Sequence, residues 1–196
     1  MTESERPSDT PDWDSLFDIA QAQAGYFTTE QAAHAGYSPQ LLAYHRDNKV
    51  ERVRRGIYRL VHFPASDHED LVVLWLWSEQ EGVFSHETAL ALHDLSDILP
   101  SRAHLTLPAS WRRRRLRVPS GLVLSFADIG DEDRASFEAV PVTRPLRTLR
   151  DCIEAHVEPR LVEQAIRQAR WRGLISATDE TRLLDKLLSV GKAIEP

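Results

Sequence analysis

The sequence predicts an α+β fold, on three observations. Residues 13–63 read as short helices separated by a tight turn and followed by a β-hairpin. A strongly apolar helical stretch comes next, HEDLVVLWLWSEQE. From Pro100 onward, short alternating polar and apolar runs are interspersed with helices of amphipathic period.

Each N-terminal element has its own signal. Trp13, Leu16, Phe17, Ala20 and Ala24 recur at helical spacing, and Trp13 is expected to anchor a small core. Thr28 and Thr29 precede Glu30-Gln31-Ala32-Ala33, a hydroxyl cap before good helix formers. Gly36 ends that helix, and Ser38-Pro39 starts another. Serine accepts a free N–H there, and proline lacks an N–H that the first turn cannot use. This helix is predicted to run to Asn48. Val50, Val53, Ile57, Tyr58 and Leu60 are β-formers on both sides of the turn Arg54-Arg55-Gly56. Together these make a winged helix-turn-helix over 13–63, after a disordered tail over 1–12. A mixed domain of helices and a small β-sheet is expected over 64–196.

Charge suits that unit to duplex DNA. Between Leu41 and Leu60, six basic residues face two acidic ones, +4 in a chain of net −6. A local basic surface on an acidic protein favours phosphates without making the whole molecule adhesive. Gln40, Tyr44, His45 and Arg46 lie where a second helix reaches base edges. Arg54 and Arg55 lie at the hairpin tip, near backbone or minor groove. Thr28, Thr29, Ser38, Lys49 and Arg52 complete the predicted DNA-binding set. The competing reading is a winged domain used for protein contacts, its arginines merely solvated.

The stretch GYFTTEQAAHAGYSPQLL…ERVRRGIYRL resembles the N-terminal domain of the AbiEi family, antitoxins of type IV toxin–antitoxin systems. The resemblance continues through RLVHFPASDHEDL, VFSHETALALHDL, HLTLP and PVTRPLRTLRDCI, from about Phe17 to Trp171. It implies a winged-helix domain that binds and autorepresses the operon's own promoter at inverted repeats, as a dimer on the DNA. It also implies a second domain acting in antitoxicity against a cognate nucleotidyltransferase-like toxin, in phage resistance. Asn48-Lys49 stands where such proteins often carry glycine, which leaves the register of the first hairpin strand open.

The remaining elements follow in order. His62 to Ser66 breaks the hairpin strand, and Ser66 or Asp67 is expected to cap the apolar helix that runs to Glu81. That helix is apolar nearly all round, so it should be buried on several sides. Gly82-Val83-Phe84 is short and extended; Ser85 then caps a helix to Leu95. His86-Glu87 begins a zinc-like HExxH, but Leu90 stands at the second histidine. His86 and His93 share a face about 10 Å apart, too far for one metal. Strands are predicted at Arg102–Leu107, Leu122–Phe126 and Phe137–Val142. Between the first two lie Arg112, Arg113, Arg114, Arg115 and Arg117, a second basic patch open to nucleic acid, an acidic partner or plain solvent. Helices follow to His156, from Pro159 to Gly173 and from Thr178 to Val190, with Cys152 as a small core residue. The leucine pairs of the last helix suit the body of the fold or a second subunit.

Composition narrows function. There is no apolar run of membrane-spanning length and no secretory signal, so no membrane partner is expected. One cysteine among 196 residues suits the reducing cytoplasm. No phosphate loop or nucleophile elbow is present, so no catalytic residue, metal or cofactor is assigned. Three readings remain: a promoter-binding antitoxin, a toxin- or RNA-docking interaction protein with a degenerate winged helix, and a nuclease.

Overall fold

A computed structural model of the chain describes residues 10–45 and 48–192. It divides into two compact units, Met1–Gln80 and Glu81–Pro196. It is α+β throughout, as the sequence predicts. The first unit contains α1 (Trp13–Gln21), β1 (Tyr26–Thr28), α2 (Thr29–His34), α3 (Pro39–Tyr44), β2 (Val50–Arg54), β3 (Ile57–Leu60) and α4 (Glu69–Trp77).

Capping chemistry sets the helix starts. Asp12 caps α1 by accepting the Ser15 N–H, and its own N–H donates to the Ala35 carbonyl at 2.9 Å. Asp12 is therefore part of the folded unit rather than of the predicted tail; residues 1–9 lie outside the described residues. Thr28 and Gln31 form a reciprocal capping box at α2. Ser38 caps α3, with Pro39 in its first turn. Leu16, Ala20, Phe27, Ala32, Leu42, Val50 and Leu60 form the core. Each large apolar side chain removed from water there is worth about 2 kcal/mol. Trp13 packs on that core from its edge, whereas Phe17 is exposed, because α1 presents only a narrow stripe inward. Ala24 lies past the end of α1, at φ 53°.

Three features depart from the sequence reading. The sheet has three strands in the order β1-β3-β2, not two. β1 is only three residues long, too short for a periodic signal, and it pairs antiparallel with β3 through Phe27↔Tyr58. Next, α3 stops at Tyr44 rather than near Asn48. The His45 carbonyl receives the Lys49 N–H at 3.1 Å, and that turn delivers Val50 to the core opposite Leu60. This settles the register of the first hairpin strand. Finally, α4 groups with the first unit, packing on β1 and β3, so the unit extends past residue 63 to Gln80. Neither Ser66 nor Asp67 caps α4; the Ser66 N–H donates instead to the Glu69 carboxylate at 3.2 Å. Leu71, Val72, Val73, Leu74 and Leu76 of α4 are all buried, as its composition demands.

Glu69 ties this unit together. It accepts from the Arg59 guanidinium at 2.8 Å and from the Tyr26 hydroxyl at 2.9 Å. Burial works to raise its pKa, but the Tyr26, Ser66 and Arg59 donors outweigh burial and hold the carboxyl below its usual range. Burial and Glu69 push the Tyr26 hydroxyl up to about 12.

The second unit holds β4 (Val83–Phe84), α5 (His86–Leu92), β5 (Ala103–Leu107), β6 (Leu122–Phe126), β7 (Arg134–Phe137), β8 (Val140–Thr143), α6 (Pro145–Glu154), α7 (Pro159–Trp171) and α8 (Ala177–Lys192). Its sheet runs β6-β5-β4-β8-β7, so the two-residue β4 is the central strand. β4 is antiparallel to β5 and parallel to β8. The single strand expected at Phe137–Val142 is a hairpin of β7 and β8 instead. Its turn sits at Glu138, whose φ of 48° breaks the strand. The helices form the core with Leu90, Leu95, Leu149, Cys152, Ile153, Ile166, Leu183 and Leu187. Burial pushes the Cys152 thiol far up, as suits a core residue. Of the last helix's leucine pairs, Leu183 and Leu187 are buried while Leu188 is 65% exposed.

Two substitutions test the first unit. Gly25 has φ +89°, and a Cβ there would lie 2.5 Å from the Phe63 ring. Gly25→Ala should therefore cost about 2 kcal/mol or more, read as a lowered urea midpoint. Glu69→Gln should cost on the order of 1–2 kcal/mol at pH 7. Because the folded carboxyl titrates below the unfolded one, that contribution is complete above about pH 5 and fades as pH falls. The wild-type and variant stability curves should converge in acid.

Candidate nucleic-acid interface

The first unit presents α3 and a β-hairpin wing. On α3, Gln40 is exposed and Tyr44, the last residue of the helix, is 79% exposed. His45 follows at the helix C-terminus, half-buried, with its ring edge-on to Tyr37 and Tyr44. Arg46, predicted to read bases, lies outside the described residues. The Ser38 hydroxyl caps Leu41 at 3.2 Å, and Thr28 caps Gln31 at 3.1 Å, so both oxygens already serve helix starts. Thr29 stands beside the wing, its N–H donating to the Gly56 carbonyl at 2.9 Å.

The wing is the β2–β3 hairpin, turned by Arg55-Gly56 with Gly56 at φ +79°. Pairing slips between Arg52 and Arg54, leaving Val53 as the extra residue of a bulge. This explains why Val53 is 41% exposed rather than packed as a β-former. The bulge leaves Arg52, Arg54 and Arg55 all exposed at the tip. The Arg52 guanidinium is braced on the Arg54 carbonyl at 3.3 Å. Lys49 sits with its ammonium 4.5 Å above the Trp13 ring, which fixes its direction. Among the described residues, Lys49, Arg52, Arg54 and Arg55 have no carboxylate in ion-pair range. Arg59 differs. It points to the other face, 15% exposed and bonded to Glu69 and Glu51, so it adds nothing to the wing's field.

In the second unit the arginine run begins on a 3-10 turn, Ala109–Arg113, and continues as irregular chain. Arg112, Arg113, Arg114, Arg115 and Arg117 are all exposed. The Arg114 guanidinium lies 3.7 Å from the Trp111 ring centroid.

A polar cluster that the sequence did not reveal surrounds the start of α5. Ser85 does not cap the helix with its hydroxyl. It bonds the Thr106 hydroxyl at 2.7 Å and the His86 Nδ1 at 2.8 Å. His86 faces His104, ring centroids 5.8 Å apart, rather than His93, whose Nε2 meets the Thr143 carbonyl at 2.7 Å. His104 Nε2 lies 3.3 Å from Glu87. Asp151 is buried, held by Arg147 at 2.8 Å, with its second oxygen unbonded. The signal lost in sequence is distance: residues 85–87, 104–106 and 147–151 meet only across β4, β5 and α6. Among the described residues no group of three or more His, Cys, Asp or Glu is arranged to hold a metal.

Burial depresses both imidazoles; for His86, Asp151 opposes this while His104 and Arg147 reinforce it. The unfolded chain therefore takes up protons first, and stability should fall as pH drops below about 6.5. His86 has φ +52°, a conformation that asparagine tolerates. His86→Asn should flatten the pH dependence of the thermal midpoint between about pH 7 and pH 5.5.

The comparisons with known proteins bear on the first unit. Residues 14–61 match the family model described as "Transcriptional regulator, AbiEi antitoxin". That span runs from α1 to the end of the wing. The chain is also similar to the solved structure of the RV2827C protein from Mycobacterium tuberculosis. There the identity is 15% and the TM-score 0.46, over 88% of this chain and 80% of that one. No curated protein matches the chain.

Proposed function

We propose that this chain is the antitoxin of a type IV, AbiEi/AbiEii-like operon, and that it represses the operon by binding its own promoter through the winged helix. The family match over residues 14–61 supports a regulator and antitoxin role. The observation that carries the DNA contact is the wing: Arg52, Arg54 and Arg55 exposed together without carboxylate partners. Unneutralised guanidiniums on a short rigid ribbon suit phosphate oxygens, to which they donate in forks. On α3, Gln40 and Tyr44 are the exposed residues able to reach base edges.

The role proposed is that of a cytoplasmic, non-enzymatic binder. Its second partner is a nucleotidyltransferase-like toxin, opposed by the second unit. The bound state proposed is two copies on inverted repeats, the general geometry of helix-turn-helix repressors. No helix of the described residues is long and apolar enough to cross a membrane. A protein-docking wing remains the second reading, favoured by the exposed Val53 beside the arginines.

A titration of the upstream promoter fragment separates the readings. Replacing Arg54 and Arg55 by alanine should weaken binding to promoter and shuffled duplex alike. It should also reduce the slope of log K against log salt by about 0.9 per lost phosphate contact. Gln40→Ala and Tyr44→Ala should alter preference between promoter and shuffled duplex, with the salt slope unchanged. Wild-type behaviour in all of these variants would refute the reading surface.

A further inference from the structure

We infer that the arginine run of the second unit is a second contact for the phosphate backbone of duplex DNA. Arg112, Arg113, Arg115 and Arg117 are exposed and, among the described residues, have no carboxylate in ion-pair range. Four guanidiniums within six positions, none of them paired with a carboxylate among the described residues, concentrate positive charge on a chain of net −6. Like charges this close repel one another, and a polyanion relieves that repulsion.

The run is anchored at its base. Arg112 donates to the Phe126 carbonyl at 3.1 Å. Along β6 the odd-numbered residues bond β5, as Ala103 to Gly121 and Ala127 to Leu107 show. Phe126 thus presents its carbonyl at the open edge of the sheet, and Arg112 holds the run against that edge. Arg114 lies over Trp111 and is extended in backbone, at φ −72° and ψ 138°. Of the remaining guanidiniums, Arg113 closes the 3-10 turn, and Arg115 and Arg117 follow on chain that is neither helix nor strand.

The surroundings select the partner. A protein interface would need an apolar centre, and here Leu116 is half-buried and Val118 is the exposed apolar side chain of residues 111–118. Stacking on single-stranded bases would need a series of aromatic faces, and residues 111–118 hold one aromatic side chain, Trp111, with Arg114 over it. What remains is a cluster of exposed, forked donors, which suits phosphate oxygens and carries no base readout. The choice of DNA over RNA rests on the reading of the first unit as a promoter-binding domain.

The test uses the full chain and the triple variant Arg113→Ala, Arg115→Ala, Arg117→Ala, which spares the two anchored arginines. Binding to the promoter fragment and to a shuffled duplex is measured across salt concentration. The thermal midpoint should stay at the wild-type value, and the slope of log K against log salt should fall by about 2–3 on both duplexes. The matching triple lysine variant should keep most of the slope; if it loses as much as the alanine variant, loop shape rather than charge is responsible and the inference fails. An unchanged slope also overturns it, and binding of polyglutamate lost in the alanine variant would then assign the run to an acidic protein. Tighter binding to an RNA duplex of equal length, lost in the same variant, would overturn the choice of DNA. The wing variant at Arg54 and Arg55 separates the two readings: a slope changed only by the wing leaves the promoter reading standing alone. A slope changed only by the triple variant leaves this inference standing alone.

Discussion

The first unit depends on where one guanidinium goes. In the middle strand of its sheet, Arg59 lies opposite Tyr26 on one side and Glu51 on the other. Cross-strand neighbours share a face, so the three side chains meet, and Glu69 at the start of α4 closes the group. A partly buried cation with several oxygen partners is far better placed than one left unpaired. That group consumes one of the six basic residues between Leu41 and Leu60 and fixes α4 to the sheet. The wing's remaining cations stay outside, on the opposite side of the strand alternation or past the bulge. The sorting of buried from exposed arginine thus follows from strand register rather than from net charge.

The second unit is organised by hydroxyl and imidazole groups around its shortest strand. β4 has two residues, yet it takes the centre of a five-stranded sheet. Both its residues are buried, and the chain then enters α5 through a left-handed residue, His86. Such strain costs on the order of 1–3 kcal/mol and persists only where the surroundings over-determine it. Here Ser85, Thr106, Thr88 and His104 supply the determination, bonding side chain to side chain and side chain to backbone across β5. Arg147 adds a further tie, bridging Asp133 at 3.0 Å and Asp151 at 2.8 Å. The apolar core of the helices, with Leu90 on α5 and Leu149, Cys152 and Ile153 on α6, uses the same helices as this network.

What could be read in advance was governed by distance along the chain. Caps are local, and Thr28, Ser38, Pro39 and Pro159 stand at helix starts, as the sequence predicts. Val162, Ala165, Ile166 and Ala169 form the buried stripe of α7, at the i, i+3, i+4, i+7 spacing of a helix face. Short strands are the weak point, because three or four residues contain too little periodicity: β1 carries no readable alternation, and β7 and β8 read as a single strand. The Ser85 hydroxyl was assigned to a cap because caps are what serines before helices commonly make. A buried threonine twenty-one residues away competed for it.

The sequence by itself determined the α+β class, the order of helix, turn, helix and hairpin, and the residues that carry positive charge. These depend on propensity, capping and period, which act within a few residues. Only the tertiary structure decided which cations face solvent, where α3 stops, that β4 is central, and that His86 meets His104 rather than His93. Those outcomes depend on pairing between segments far apart in sequence. A strand's register, or a bulge such as that at Val53, is chosen by the partner it packs against.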